Sequence, residues 1–208
     1  MKRSEAVNVF AKKRTDEIVL TNIALVSRQV YATCHNDLTL YRIQMGYPFP
    51  MGIGLAMALP QRKVIVLDGD GSILMGLGAL ATAANENPKN LGLIVFDNEC
   101  YDNPGGLPSA TAGKADLAAL ARASGIQNTA LCKNVEEFER ALTSALQAGE
   151  LFCIIAKVER TAPEEERIPT LPFDLTENTY TFLRALTNQG LIKGWREGFS
   201  RPLRTTTK

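Results

Sequence analysis

Apolar positions in this chain come in two patterns. Short, mainly apolar runs occur at residues 17–21 (Glu-Ile-Val-Leu-Thr), 64–67 (Val-Ile-Val-Leu), 93–96 (Leu-Ile-Val-Phe) and 151–158 (Leu-Phe-Cys-Ile-Ile-Ala-Lys-Val). Short runs of this kind suit strands buried on both faces. Weaker strand patterns lie at 38–43 and 128–131. Between them, apolar residues recur at helical spacing, as with Ala6, Val9 and Phe10 in 3–13. Further helices are expected over 23–33, 46–60, 73–84, 116–123, 135–148 and 176–186. The helix at 73–84 should stop at Asn85-Glu86-Asn87-Pro88. Strands alternating with helices predict an α/β fold, a three-layer α/β/α arrangement around a mostly parallel sheet. One domain over 1–190 and a basic tail over 191–208 account for the chain, and residues 193–208 carry five basic residues against one acidic. The segment 99–113, with Pro104, Gly105, Gly106 and Pro108, reads as a loop long enough to suspect function.

Composition narrows the partners. With 208 residues the chain is one generous domain, and a net charge of +1 gives no general pull toward nucleic acid or acidic membranes. No apolar run reaches the roughly 20 residues of a membrane span. The basic start, Met1-Lys2-Arg3, has no apolar stretch behind it, so a cytoplasmic protein is expected. Cys34, Cys100, Cys132 and Cys153 form no C-x-x-C pair, which argues against zinc, iron–sulfur clusters and a disulfide framework.

The chemistry concentrates where two of the strong runs end. The first leads into Asp68-Gly69-Asp70-Gly71-Ser72, and the second into Asp97-Asn98, with Asn98 28 positions after Asp70. Ligands in parallel α/β sheets gather outside the carboxyl ends of strands. Gly69 and Gly71 allow a ligand close to the backbone. Ser72 is expected to cap the helix over 73–84, whose first N–H groups suit an anion. A carboxylate, an amide oxygen and a backbone carbonyl suit a hard cation such as Mg²⁺ that also bridges phosphates. A plain turn is the competing reading of Asp68–Gly71. The spacing fits neither an EF-hand nor a G-x-G-x-x-G dinucleotide loop.

Strand, GDGS, helix, second strand and asparagine together resemble the diphosphate-binding domain of thiamine diphosphate enzymes. Arg3 with Glu5-Ala6, Ser27-Arg28, residues 52–60 and 62–72, Asn87-Pro88-Lys89-Asn90-Leu91, and Asp97-Asn98-Glu99 with Tyr101 resemble the sulfopyruvate decarboxylase β subunits and the related phosphonopyruvate decarboxylases. The likeness covers about residues 1–160. It implies thiamine diphosphate and Mg²⁺ as cofactors. Asp70, the Asn98 side chain and the Cys100 carbonyl would hold the metal. Gly69, Gly71, Ser72 and Tyr101 would line the diphosphate, Ser72 through its N–H and hydroxyl. Met45 would wedge beneath the cofactor, with a core methionine as the alternative. The Ile43 carbonyl would accept from the aminopyrimidine, although Ile43 stands where glycine is common. Asp97 replaces a frequent asparagine, and Cys100 a glycine or alanine. Arg28, His35 and Arg42 are candidates for a substrate anion, and His35 for proton transfer; a surface role is the alternative for each.

The resemblance also implies non-oxidative decarboxylation of a 2-oxo acid. The activating glutamate would lie on a pyrimidine-binding α subunit, in an α2β2 assembly. An acetolactate synthase-like carboligase, a 2-oxo acid oxidoreductase subunit and a non-catalytic cofactor-binding module are the rivals.

Overall fold

The computed structural model describes residues 1–23, 25–102, 105–160 and 167–193. Six strands form one sheet: β1 (Ile18–Asn22), β2 (Thr39–Ile43), β3 (Val64–Gly69), β4 (Leu91–Asp97), β7 (Asn128–Cys132) and β8 (Phe152–Lys157). Their order is β2-β1-β3-β4-β8-β7, and every neighbouring pair is parallel. The helices are α1 (Arg3–Lys13), α2 (Leu25–Cys34), α3 (Pro48–Ala58), α4 (Asp70–Met75), α5 (Gly78–Glu86), α6 (Leu117–Ala123), α7 (Val135–Ala148) and α8 (Leu175–Asn188). The expected α/β/α layering is what forms. The basic tail of the sequence reading lies mostly outside the described residues.

The period-two geometry of a strand divides its side chains between two cores. Ile18, Leu20, Val64, Val66, Leu93, Val95, Cys153 and Ile155 face one side, against residues of α3, α5, α6 and α8 such as Ile53, Leu80, Ala121 and Phe182. Val19, Ile65, Leu67, Ile94, Phe96, Phe152 and Ile154 face the other, against Phe10 of α1, Val30 of α2 and Phe138 and Leu142 of α7. Both faces are covered, so the central strands have no polar alternation to show. The edge strand β2 is finished by α8. Buried Asn178 accepts from the Tyr41 N–H (2.8 Å) and donates to the Thr39 carbonyl (3.1 Å). That carboxamide completes an edge that would otherwise offer open ladder groups.

Two expectations change. The single helix over 73–84 is two helices, α4 and α5, parted at Gly76. A Cβ at Gly76 would lie 2.6 Å from the Gly46 carbonyl oxygen, so the break lets the turn before α3 sit directly on the chain. The loop over 99–113 contains a small antiparallel hairpin, β5 (Cys100–Tyr101) with β6 (Leu107–Pro108), and a 3₁₀ turn at Ala110–Ala112.

The chain leaves β1 for β2 on one side and β3 for β4 on the other. This reversal opens a crevice at the carboxyl ends of β1 and β3, the usual ligand position in such sheets.

Candidate active site

A cleft of about 330 Å³ occupies that crevice. Gly69, Asp70, Gly71 and Ser72 enter it from β3 and α4, Asn98 follows β4, and Cys100 and Tyr101 come from the hairpin. Met45 lies on the turn before α3, half-buried in the wall of the cleft. Eight residues singled out in the sequence therefore share one cavity. Ile43 and His35 do not line it, nor do Arg28 and Arg42. The Ile43 carbonyl already accepts from the Ile23 N–H at 2.9 Å. His35 precedes β2, away from the strand's carboxyl end, and packs with Tyr31, Tyr41 and Phe173; its Nδ1 meets the Tyr41 hydroxyl at 3.0 Å. The proton-transfer role expected for His35 has no geometry behind it here.

Asp70 is 2% exposed, and burial raises its pKa above the ordinary carboxylate range. Opposing that shift, the Ser109 hydroxyl donates to Asp70 Oδ2 at 2.5 Å and Thr111 Oγ1 lies 3.1 Å from the same oxygen. Asp68, one residue before Gly69, is also buried. Desolvation pushes its pKa up to about 7, and its Oδ2 has no hydrogen-bond partner among the described residues. Ser72 does not cap a helix: it lies inside α4, and Gly69 holds the N-cap position. Its hydroxyl accepts from the Gly46 N–H (3.0 Å), so it joins the Met45 turn to the start of α4.

The segment after β4 is shaped by one unusual residue. Glu99 has φ 61°, a left-handed conformation uncommon outside glycine, and its carboxylate is held by Lys157 Nζ at 2.5 Å. Burial pulls the Lys157 pKa down, but hydrogen bonds to Glu99 and Asp97 outweigh it and the net shift is upward. Beyond this turn, the Ser109 N–H donates to the Glu99 carbonyl (3.1 Å). The next pair, Cys100 with Pro108, is then the non-hydrogen-bonded kind. Its N–H and carbonyl point out of the hairpin; the Cys100 N–H reaches Asn98 Oδ1 at 3.3 Å. The Asn98 amide also donates to Asp102 Oδ1 (2.9 Å), whose Oδ2 lies 3.4 Å from buried Arg3. The Tyr101 ring covers Gly71 so closely that a Cβ there would lie 2.3 Å from it.

Sequence reasoning missed Arg3, Asn22, Asp68, Asp102, Ser109 and Thr111 at this site. Only the last two left a usable signal: they are the sole serine and threonine in the 99–113 segment. Among the described residues, no group of three or more His, Cys, Asp or Glu side chains could hold a metal on its own. The cleft instead offers the Asp70 carboxylate, the Asn98 amide oxygen and the outward Cys100 carbonyl, beside Asp102, which is engaged by Asn98 and Arg3. Such a set suits a hard cation that keeps water and phosphate oxygens as its other ligands.

Comparison with known proteins gives the family of the chain. The profile of the family described as thiamine pyrophosphate enzyme, C-terminal TPP binding domain, matches residues 29–156. The chain is 34% identical over 171 residues to the sulfopyruvate decarboxylase subunit beta of Methanocaldococcus jannaschii, covering 82% of this chain and 88% of that one. It is also 34% identical over 187 residues to a sulfopyruvate decarboxylase of Methanosarcina acetivorans, covering 89% of this chain and 47% of that one. Among solved structures, a putative thiamin diphosphate-dependent enzyme from Mycobacterium smegmatis superposes with a TM-score of 0.65 at 22% identity, over 76% of this chain and 32% of the other, which supports the fold.

Proposed function

This chain belongs to the thiamine pyrophosphate enzyme family and is homologous to sulfopyruvate decarboxylase β subunits; from that premise we propose that it is the diphosphate-binding subunit of a Mg²⁺-dependent decarboxylase converting sulfopyruvate to sulfoacetaldehyde and CO₂. The observation that carries the reading is the convergence of Asp70, Asn98, Cys100 and Met45 on one cleft at the point where the sheet order reverses.

The residues fit the group. Asp70 and Asn98 would supply oxygens to Mg²⁺, and the Cys100 carbonyl, turned out of its hairpin, would supply a third. The backbone of Gly69, Gly71 and Ser72 would face the diphosphate, with Tyr101 closing over it. The Ser72 hydroxyl, which accepts from the Gly46 N–H, would tie that backbone to the Met45 turn. Met45 would brace the cofactor from the side. Bound thiamine diphosphate supplies the carbanion-stabilising chemistry; the protein binds, orients and keeps water away.

The cleft is near the small end of the roughly 300–1,000 Å³ found for ligand sites. Beside it lies a broad uncharged face. No charged residue occurs from 43 to 61 or from 71 to 85, and Tyr47, Met51 and Met75 are exposed there. An apolar groove of about 400 Å³ runs between α3 and α5, lined by Pro50, Ile53, Met75 and Leu77. A pyrimidine-binding α subunit seated on this face would complete the site and bring the activating glutamate, in an α2β2 assembly. This chain spans 47% of the Methanosarcina acetivorans sulfopyruvate decarboxylase, which leaves room in that longer chain for such a domain.

The test mixes the full chain with the product of the neighbouring reading frame, thiamine diphosphate, Mg²⁺ and sulfopyruvate. Equal amounts of sulfoacetaldehyde and CO₂ are expected from the mixture and none from either chain alone. Turnover by this chain alone would overturn the shared site. Preference for phosphonopyruvate, the other substrate class the resemblance implies, would overturn the sulfonate assignment, and consumption of a second oxo acid would make the enzyme a carboligase.

A further inference from the structure

The carboxylate assigned to the cation is not held by its own helix alone. Ser109 and Thr111 lie across the cleft floor from α4, Thr111 in the 3₁₀ turn and Ser109 just before it. Both are buried, at 5% and 7% exposure. Their hydroxyls converge on one oxygen of Asp70, Oδ2, at 2.5 and 3.1 Å, and touch each other at 2.9 Å. Thr111 Oγ1 also lies 2.7 Å from Asp97 Oδ1, so its single proton is shared between the two carboxylates while Ser109 donates to Asp70, and Asp97 Oδ2 receives Lys157 Nζ at 2.9 Å. The Ser109 backbone is fixed by the hairpin through the Glu99 carbonyl. A continuous polar chain therefore runs from Asp70 through the two hydroxyls to a carboxylate anchored by a lysine.

We propose that Ser109 and Thr111 are positioning residues for the cation site. They clamp Oδ2 of Asp70 and leave the other oxygen of the same carboxylate to the metal. The inference rests on the functional reading above, since it takes Asp70 as the metal's carboxylate ligand. A hydroxyl serves this purpose better than an amide or a cation would. It donates one hydrogen bond to stabilise the buried anion without neutralising it, so the carboxylate keeps its charge for the metal. Groups that orient a metal ligand in this way commonly set metal affinity by about 10–100-fold. Two hydroxyls separated by one residue in an irregular loop can meet one oxygen only because the hairpin and the 3₁₀ turn fold that loop back over α4. The same arrangement links the cation to the segment carrying the Cys100 carbonyl, so both walls of the site are registered to each other before any ligand arrives.

The experiment measures Mn²⁺ binding to the full chain in the presence of thiamine diphosphate, by the electron paramagnetic resonance signal of free Mn²⁺. Asp70→Asn, Ser109→Ala, Thr111→Val, the Ser109→Ala/Thr111→Val pair and Thr111→Ser are compared with the unaltered chain, and urea midpoints are recorded for each. The pair is expected to weaken Mn²⁺ binding by about 10–100-fold, with Thr111→Val intermediate. Thr111→Ser, which keeps the hydroxyl, should bind within about threefold of the unaltered chain, because the positioning group survives. If Asp70→Asn loses Mn²⁺ while the pair binds normally, the positioning role is overturned and the metal site stands. Equal losses in Thr111→Val and Thr111→Ser would also overturn it, because packing rather than the hydroxyl would then be at issue. If Asp70→Asn binds as tightly as the unaltered chain, the metal assignment itself falls. Should the pair fail to fold, the Thr111→Val and Thr111→Ser comparison decides alone.

Discussion

At the scale of single residues, the site depends on where a side chain is missing as much as on where one is present. Gly71 has no Cβ, and the Tyr101 ring occupies the space one would need, 2.3 Å away. Gly71→Ala should therefore destabilise the chain by about 1–3 kcal/mol through overpacking. Combining it with Tyr101→Ala should remove most of that cost. Urea midpoints for the two singles and the double give the coupling, and strict additivity would mean that ring and glycine do not meet. The GDGS motif advertised Gly71 as a place for a ligand. The structure adds that an aromatic ring from the next crossover already leans on it. Nothing in the order of residues connects positions 71 and 101, because their contact depends on how the hairpin folds back.

At the scale of elements, the best-marked helix is α7. Asn134 caps it by accepting from the Glu137 N–H at 2.9 Å, Glu137 accepts from the Lys133 N–H at 2.7 Å, and Gly149 ends it with φ 62°. These signals are local, which is why the expected bounds, 135–148, coincide with the observed ones. The Lys133 hydrogen bond, with smaller help from Asn134 and Arg140, lowers the Glu137 pKa. A carboxylate with a depressed folded-state pKa adds stability above its unfolded value, about 4.3, and loses it as pH falls through the folded value. Glu137→Gln should thus be less stable than the unaltered chain at neutral pH, with the gap closing below about pH 4, as followed by thermal melts across pH.

The contrasting case is α8, whose role is set by a contact 137 residues away in sequence, from Tyr41 to Asn178. Asn178→Ala leaves the Tyr41 N–H and the Thr39 carbonyl without partners at a buried edge. A loss of about 1–3 kcal/mol in urea unfolding is expected. Protection of the Tyr41 amide against hydrogen exchange should fall with it.

At the scale of the whole molecule, the distribution of charge is uneven although its sum is almost zero. The uncharged turn before α3 and the uncharged segment after Asp70 come together beside the cleft and leave Tyr47 61% and Met75 64% exposed. An apolar face of this kind favours burial against another surface. The purified chain should accordingly self-associate in sedimentation velocity. Tyr47→Glu with Met75→Glu should suppress that association with little change in the urea midpoint, because neither side chain contributes to the core. The same pair should abolish turnover in the mixture with the proposed α partner. Unchanged association would place the partner surface elsewhere. Among the described residues, no helix is long and apolar enough to cross a membrane, so the exposed apolar area is not part of such a span.

The local signals in the sequence were sufficient for the layering, for the strands that end at Gly69 and Asp97, and for bringing Asp70 and Asn98 to one crevice, whereas Cys100 and Met45 entered only through the family resemblance. Strand runs, caps and breakers act between residues close in the chain, and a parallel sheet puts strand ends together without further instruction. What required the tertiary structure was everything decided by backbones meeting at a distance. The helix expected over 73–84 breaks because Gly46 packs against Gly76. His35 joins an aromatic cluster rather than the cleft because it lies ahead of β2, not beyond its carboxyl end. The Ser72 hydroxyl turns inward, and Ser109 and Thr111 reach Asp70 only once the 99–113 segment closes over α4. Hydrogen bonds of that kind depend on angstrom-scale placement, and no spacing along the chain encodes it.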